Sequence, residues 1–387
     1  MQQSIKYVLV FLLLLSTSAV SAQEIEGNNT SSAFFSKEGE FDVSGYLSEA
    51  YGFLPVPILI TEPAIGYGGG AAIVFLHDKF VGRKGASGRN IPPSMSGVIF
   101  AATENETKIA GAFHVGYYME DTLRTQTFVM ATNININFYT AQNRAIFMNL
   151  ETPVAYQSLK KRVYESDVFL GLSYLYASTE LSLNQIADKD VLLPTLKSTN
   201  AALGLIFDYD TRDNALSPNK GMLFNARANL FDESVGSDND FQKYFLQELL
   251  YVPLTPKINL DHRFIYDSIK GDDAPFYMYP AVNMRGVPAL RYQGENVALY
   301  EAQLSYAFTK RWTGVLFGGV SRAYGATSSL SIAPELSFSD APTVVSKGLG
   351  FRYLIAEKFG LRVGVDIAKS NEDSAFYIQF GTAWMGL

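Results

Sequence analysis

Three histidines, no cysteine and a few grouped charges bound the chemistry open to this chain of 387 residues. Nucleophilic catalysis needs a base beside a Ser or Cys, and a metal centre needs several converging ligands. His262 falls on an apolar stripe with Leu260 and Phe264, and His77 lies at a strand end beside Asp78. His114 alone is expected to face inward, in a strip of small residues. Gly-x-Ser-x-Gly, His-Glu-x-x-His and phosphate-loop patterns do not occur, so no catalytic residue, metal or cofactor is expected. What remains are charges that pair. Asp210, Arg212 and Asp213 form one cluster; Arg285 stands beside Gly286; Glu301, Gln303 and Asp366 lie further on. Opposite charges of this kind fix turns and line polar interiors.

The elements that carry these charges alternate. From residue 201 to 212 one face reads Ala201, Leu203, Leu205, Phe207 and Tyr209, and the other Ala202, Gly204, Ile206, Asp208, Asp210 and Arg212. The same period of two runs through residues 258–267, where Asp261, Arg263 and Asp267 oppose Leu260, Phe264 and Tyr266, and through residues 361–368, where Arg362 and Asp366 oppose Val363, Val365 and Ile367. A helical period fails in all three. Strands with one apolar face and one ionisable face suit a transmembrane barrel, whose wall meets lipid outside and a polar lumen inside.

Segments of this kind are predicted to begin near Ala64, Ser94, Thr107, Thr122, Ala145, Ser166, Asn200, Met222, Phe241, Lys257, Pro275, Val297, Arg311, Val344, Phe359 and Ala375. The fold class read from them is all-β, an antiparallel transmembrane β-barrel of about sixteen strands. Pro218-Asn-Lys-Gly221 reads as a tight turn, Pro fixing φ and Gly free to take positive φ. Tyr117, Tyr118, Phe276, Tyr277, Tyr279, Tyr377 and Trp384 are read as girdle rings at the headgroup level, and Phe376, Ile378, Phe380 and Trp384 as the outward stripe of the last strand.

The ends and the composition fit export. Residues 1–22 read as a secretory signal, with Lys6, an apolar run from Val8 to Leu15, and small residues up to Ala22, so the mature chain of about 365 residues begins near Gln23. No later run is apolar enough for a membrane helix, which needs about 18 residues or more. Residues 23–50 are polar and read as a flexible periplasmic lead, with the barrel over 51–387. A net charge of −7 without a basic cluster argues against nucleic acid as a partner.

Three motifs resemble one family. Phe207-Asp-Tyr-Asp-Thr-Arg-Asp-Asn-Ala-Leu-Ser-Pro-Asn-Lys-Gly221 is similar to the strand-and-turn signature of the bacterial surface antigen barrels, the BamA/TamA superfamily. Asn283-Met-Arg-Gly-Val287 resembles that family's Arg-Gly loop, followed by a strand at Leu299-Tyr-Glu-Ala-Gln-Leu-Ser-Tyr306. Pro55-Val-Pro-Ile and Thr61-Glu-Pro-Ala-Ile-Gly-Tyr-Gly-Gly-Gly70 resemble the opening strand of members without POTRA-type periplasmic modules. The resemblance implies a 16-stranded barrel whose sixth outer loop folds into the lumen, its Arg held by acidic groups on the inner wall. Arg285 would be that residue, with Asp366, Glu301 and Gln303 as candidate partners. It also implies a loose seam between first and last strands, assigned here to Gly66, Gly68, Gly69 and Gly70 against Phe380 and Trp384; the same glycines fit close packing against bare backbone equally well. The chain departs from the pattern at Phe317-Gly318-Gly319-Val320, where Phe-x-Asp-x-Gly is expected.

By that resemblance the function is insertion or translocation of proteins or lipids at the bacterial outer membrane, among outer-membrane lipids and with a separate periplasmic partner protein. A passive or gated pore for small solutes, or a surface antigen with no transport role, are the alternatives.

Overall fold

The computed structural model describes residues 34–36, 38–49, 52–62, 64–78, 91–139, 145–186, 189–190, 195–326 and 335–384. The signal segment and the chain's last residues lie outside this set. Sixteen spanning strands follow in order: β1 (Gly52–Ile60), β2 (Gly68–Leu76), β3 (Met95–Thr103), β4 (Lys108–Tyr118), β5 (Leu123–Tyr139), β6 (Ala145–Arg162), β7 (Val168–Ile186), β9 (Leu196–Asp210), β10 (Gly221–Phe231), β11 (Phe241–Thr255), β12 (Ile258–Lys270), β13 (Asn296–Ala307), β14 (Trp312–Tyr324), β15 (Val344–Ala356), β16 (Leu361–Ser370) and β17 (Ser374–Phe380). A two-residue strand, β8 (Lys189–Asp190), extends the β7–β9 hairpin.

Each strand pairs antiparallel with the next, from β1 to β17, so the wall is an up-and-down meander. No strand register among the described residues joins β1 to β17, and the barrel is nearly closed. The expected alternation holds: Leu172, Leu205, Leu316, Leu349 and Ile367 are each more than half exposed on the outer face, while Asp208, Asp210, Asp261, Arg263 and Asp366 are buried inside. The outer belt is what a bilayer covers.

Two expected elements are wrong. Pro275 begins no strand; it precedes a single 3-10 turn, Phe276–Met278, inside the long loop between β12 and β13. The true first strand, β1, carries Pro55 and Pro57, and proline's missing N–H confines it to strand edges. That is where β1 lies, its whole length paired with β2 on one side only. The glycines assigned to the seam therefore sit on β2, between β1 and β3, apart from Gly66 in the preceding hairpin. A Cβ on Gly68 or Gly70 would come within 2.2 and 2.0 Å of β3 carbonyl oxygens, so these two positions serve close strand approach.

The lead also differs from expectation where it is described. Helix α1 (Ser44–Glu49) docks on the end of the barrel where β16 begins and β17 ends. Val43 and Leu47 pack with Ile355, Val363 and Phe380, and Val43 N donates to Ile355 O at 2.8 Å. Arg311, 1% exposed, clamps the approach: Nη1 lies 2.8 Å from Asp42, Nε 2.8 Å from Glu40, and Nη2 3.3 Å from Glu357. Three carboxylates repay the desolvation of one guanidinium.

Among the described residues, part of the lumen is filled by apolar side chains. Inward residues of β1 to β7 are largely apolar; Val56, Ile58, Val74, Ile99, Phe113, Met148 and Leu181 form one core with Phe276 of the long loop. Phe276, Tyr277 and Tyr377 face this interior instead of forming a girdle. Exposed rings do gather at the wall's ends, as where Trp312 meets Phe351 and Tyr353, and Tyr67 stacks on Phe376.

Candidate functional site: the lumen loop and its anchors

The loop between β12 and β13 folds inward as a small hairpin. Val282 N donates to Tyr292 O at 2.9 Å and Gly294 N to Pro280 O at 3.2 Å, which brings residues 284–290 to the tip. At the tip Gly286 takes φ +83, and a Cβ there would lie 3.1 Å from Ala368 and the Lys369 amide. A residue with no side chain is what lets the loop lie against β16.

Arg285 is 3% exposed and reaches three of the expected partners. Its Nη1 donates to Asp366 Oδ2 at 2.8 Å and to Gln303 Oε1 at 3.1 Å, and its Nε lies 3.6 Å from Glu301 Oε1. The guanidinium stacks 3.5 Å above the Phe317 ring. Backbone contacts hold the same residue pair: Gly286 N donates to the Tyr377 hydroxyl at 2.9 Å, and the Ser346 hydroxyl donates to Arg285 O.

Sequence reasoning missed the second half of this network. Arg352 donates to both oxygens of Asp366, at 2.6 and 2.9 Å, and Gly350 opposite Asp366 leaves room for the carboxylate, which a Cβ would meet at 2.0 Å. Arg263 pairs with Glu301 and donates to Asn283 O at 2.7 Å. Alternation along β15 would have put Arg352 inside, facing β16, so that signal was present. At the departure from the family pattern stands Gly319, where a Cβ would lie 2.8 Å from Met284 of the loop. The loop occupies the space that a side chain there would need, and carboxylates of β13 and β16 hold the Arg.

Trp384 corrects another expectation. It is 2% exposed, packs with Leu223, Leu249 and Tyr251 inside the barrel, and donates from Nε1 to Glu301 at 3.2 Å. The strand alternation ends at Phe380, and Gly381 at φ +67 turns the chain inward, with Gly381 N on Arg362 O and Thr382 N on Leu216 O. Phe380 is likewise off the outer stripe, buried against α1.

The Asp210 cluster is built into the wall and the turn. Arg212 Nε and Arg124 Nη1 share Asp210, at 2.9 and 3.2 Å. Asp213 Oδ1 accepts from the amides of Asn219 and Lys220, and Gly221 at φ +98 leads into β10. Pro218 is buried between them.

The loop also spans the seam. Ala289 N donates to Glu62 in the β1–β2 hairpin at 3.3 Å, while Arg291 Nη2 lies 2.7 Å from Glu372 in the β16–β17 hairpin and the Tyr292 hydroxyl donates to the same carboxylate. Three residues of the stretch 289–292 thus hold the hairpins on both sides of the unpaired edges.

The histidines stand apart from this site. His114 faces outward, contrary to expectation: its Nδ1 lies 2.8 Å from Ser96 Oγ, which is also 2.8 Å from His77 Nε2, and its Nε2 meets the Tyr118 hydroxyl at 2.7 Å. The tyrosine takes the place a carboxylate would need to orient the ring as a base. Among the described residues, no group of three His, Asp or Glu is spaced to hold a metal.

The Omp85 superfamily domain matches residues 97–279. No curated protein matches the chain. Among solved structures, BamA from Haemophilus ducreyi lacking POTRA domains 1–3 is similar with a TM-score of 0.56 and 15% identity over 84% of this chain and 68% of that one. CdiB from Acinetobacter baumannii has a TM-score of 0.52 and 10% identity over 85% of this chain, and CdiB from Escherichia coli has 0.52 and 10% over 84%. This chain spans 59% and 61% of those two proteins. A barrel of sixteen strands with an inward Arg-Gly loop, a partial domain match and these neighbours agree: residues 97–279 are similar to the Omp85 superfamily domain, and the barrel has the fold of BamA and CdiB.

Proposed function

We propose that this barrel assists the insertion or translocation of proteins or lipids at the outer membrane, using the edge between β1 and β17. The observation that carries the reading is the clasped seam: two edges with no common register among the described residues, one of them bearing Pro55 and Pro57, bridged by the loop at Glu62 and Glu372. An edge strand with free backbone groups is a template for another strand. The Omp85 resemblance implies the same class of work, insertion or secretion at that membrane. A signal peptide over 1–22, outer-membrane lipids as neighbours and a separate periplasmic partner belong to this reading, and no catalytic step does.

Locking the seam tests it. Tyr67→Cys with Phe376→Cys, bridged by a short bifunctional thiol reagent, would join the edges where the two rings stack at 6.0 Å. Outer-membrane protein and lipid levels in cells carrying the bridged form should fall to those of a depleted strain, with recovery on reduction. Unchanged levels with the seam locked would overturn the reading. The apolar filling of the lumen weighs against a solute pore, which would conduct in planar bilayers without loss of the loop.

A further inference from the structure

Beneath the loop tip the lumen keeps a cavity of about 280 Å³ whose two walls differ in chemistry. On the side of β5, β6 and β7 it is lined by Phe128, Met130, Val154 and Leu175. Across from them, on β10 and β11, stand Arg227 and Lys243. Asp267 of β12 shares the row of Arg227, one strand beyond Phe245. Lys243 Nζ donates to Met278 O at 2.8 Å, and no carboxylate lies within ion-pair distance of it among the described residues.

The cavity reaches the seam. Leu59 of β1 and Ile378 of β17 line it, and Leu59 belongs to the outer stripe, 44% exposed toward the acyl region. Residues of both edges therefore border one space with the apolar wall. A purely aqueous lumen has no use for an apolar wall, and a packed core has no use for an ammonium without an acid partner.

We propose that the cavity takes one acyl chain of an anionic amphiphile from the surrounding leaflet, the chain on Phe128, Met130, Val154 and Leu175 and the headgroup oxygens on Lys243. The volume sits near the lower end of ligand pockets, roughly 300 Å³, and suits a single chain better than a whole two-chain lipid. The headgroup is a carboxylate or a phosphate. This binding goes beyond the insertion reading and stands whether or not substrates pass the seam.

The test uses the full mature protein, stripped of lipid and held in amphipol, titrated with a dansyl-labelled undecanoate. Saturable fluorescence gain is expected, competed by oleate and not by inorganic phosphate. Lys243→Gln should weaken the anionic probe about tenfold, the size of one charge-assisted hydrogen bond, and leave an uncharged dansyl alkyl amide unchanged. Val154→Trp should abolish both; if it fails to give a heat-modifiable folded barrel, Leu175→Trp is read in the same way. Mass spectrometry of lipid extracted from the purified native protein separates a free fatty acid from a phospholipid. Binding that survives the filled cavity, or that yields to phosphate or to an amphipathic strand peptide in place of oleate, would overturn the proposal.

Discussion

Arg285 and Asp366, 81 residues apart, meet at 2.8 Å inside the barrel, and the contact fixes where the loop tip lies. Its loss is cushioned, because Asp366 keeps Arg352 and Glu301 keeps Arg263. Breaking a buried pair costs roughly 3–5 kcal/mol when one charge is orphaned, so Arg285→Ala should cost less, about 2 kcal/mol. Protease added to whole cells should then cut within residues 271–295, where the parent resists. Arg285→Lys should restore little, since an ammonium offers neither the planar fork nor the stack on Phe317.

Glu372 makes the clasp acid-labile. Hydrogen bonds from Tyr292 and Arg291 hold its carboxyl below the ordinary glutamate range, so its share of the clasp is present above that range and is lost as pH falls through the lowered value. Glu62 answers in the other direction: burial pushes its carboxyl up against the pull of the Ala289 and Ala64 amides, so its share weakens as pH rises through the raised value. Protection of the Arg291 and Tyr292 amides, corrected for the intrinsic exchange rate at each pH, should fall on acidification. Glu372→Gln should abolish that fall, and Glu62→Gln should raise protection of the Ala289 amide at neutral pH.

Much of this was legible in residue order, and the misses have physical causes. Period two in residues 361–368 placed Asp366 inside, and the family resemblance named it, with Glu301 and Gln303, as a candidate partner of Arg285. Trp384 was placed outside because alternation was carried past Gly381, whose positive φ ends the strand. The count of alternating segments began at Ala64 and left out β1, although the family resemblance pointed to an opening strand at Pro55, and a strand lacking one neighbour tolerates two prolines. Nothing local marks Glu62 and Glu372 as anchors; their roles arise only when two hairpins distant in sequence meet one loop.

Arg311 ties α1 to the barrel, and its removal should free the helix. Arg311→Ala leaves Glu40, Asp42 and Glu357 close together with no cation from this residue. Asp42 is pushed up by burial, but hydrogen bonds from Ser44 and Arg311 outweigh this and hold it below the ordinary aspartate range. Docking should therefore persist at neutral pH and fail in acid, as pH drops through that lowered value, and the variant should behave at neutral pH as the parent does in acid. A spin label at Ser48 reads the release directly.

The turn glycine offers the sharpest test of local geometry. Gly221 takes φ +98, and a Cβ there would lie 2.3 Å from Thr211 O and 2.9 Å from Arg212 Cα, both backbone atoms with no freedom to yield. Positive φ alone costs a residue with a Cβ about 1–2 kcal/mol, and the collision adds to it. The site is also a joint: Ser217 Oγ accepts from Arg362 N and Leu216 O from Thr382 N, so a shifted turn pulls on β16 and on the segment that delivers Trp384. Gly221→Ala should lower the unfolding temperature of the heat-modifiable barrel by several degrees, and Trp384 fluorescence should shift red as the ring meets water. Asp213→Ala, which removes only the acceptor for two turn amides, should give a smaller drop with the emission unchanged. If both variants behaved alike, the glycine would not be set by backbone geometry.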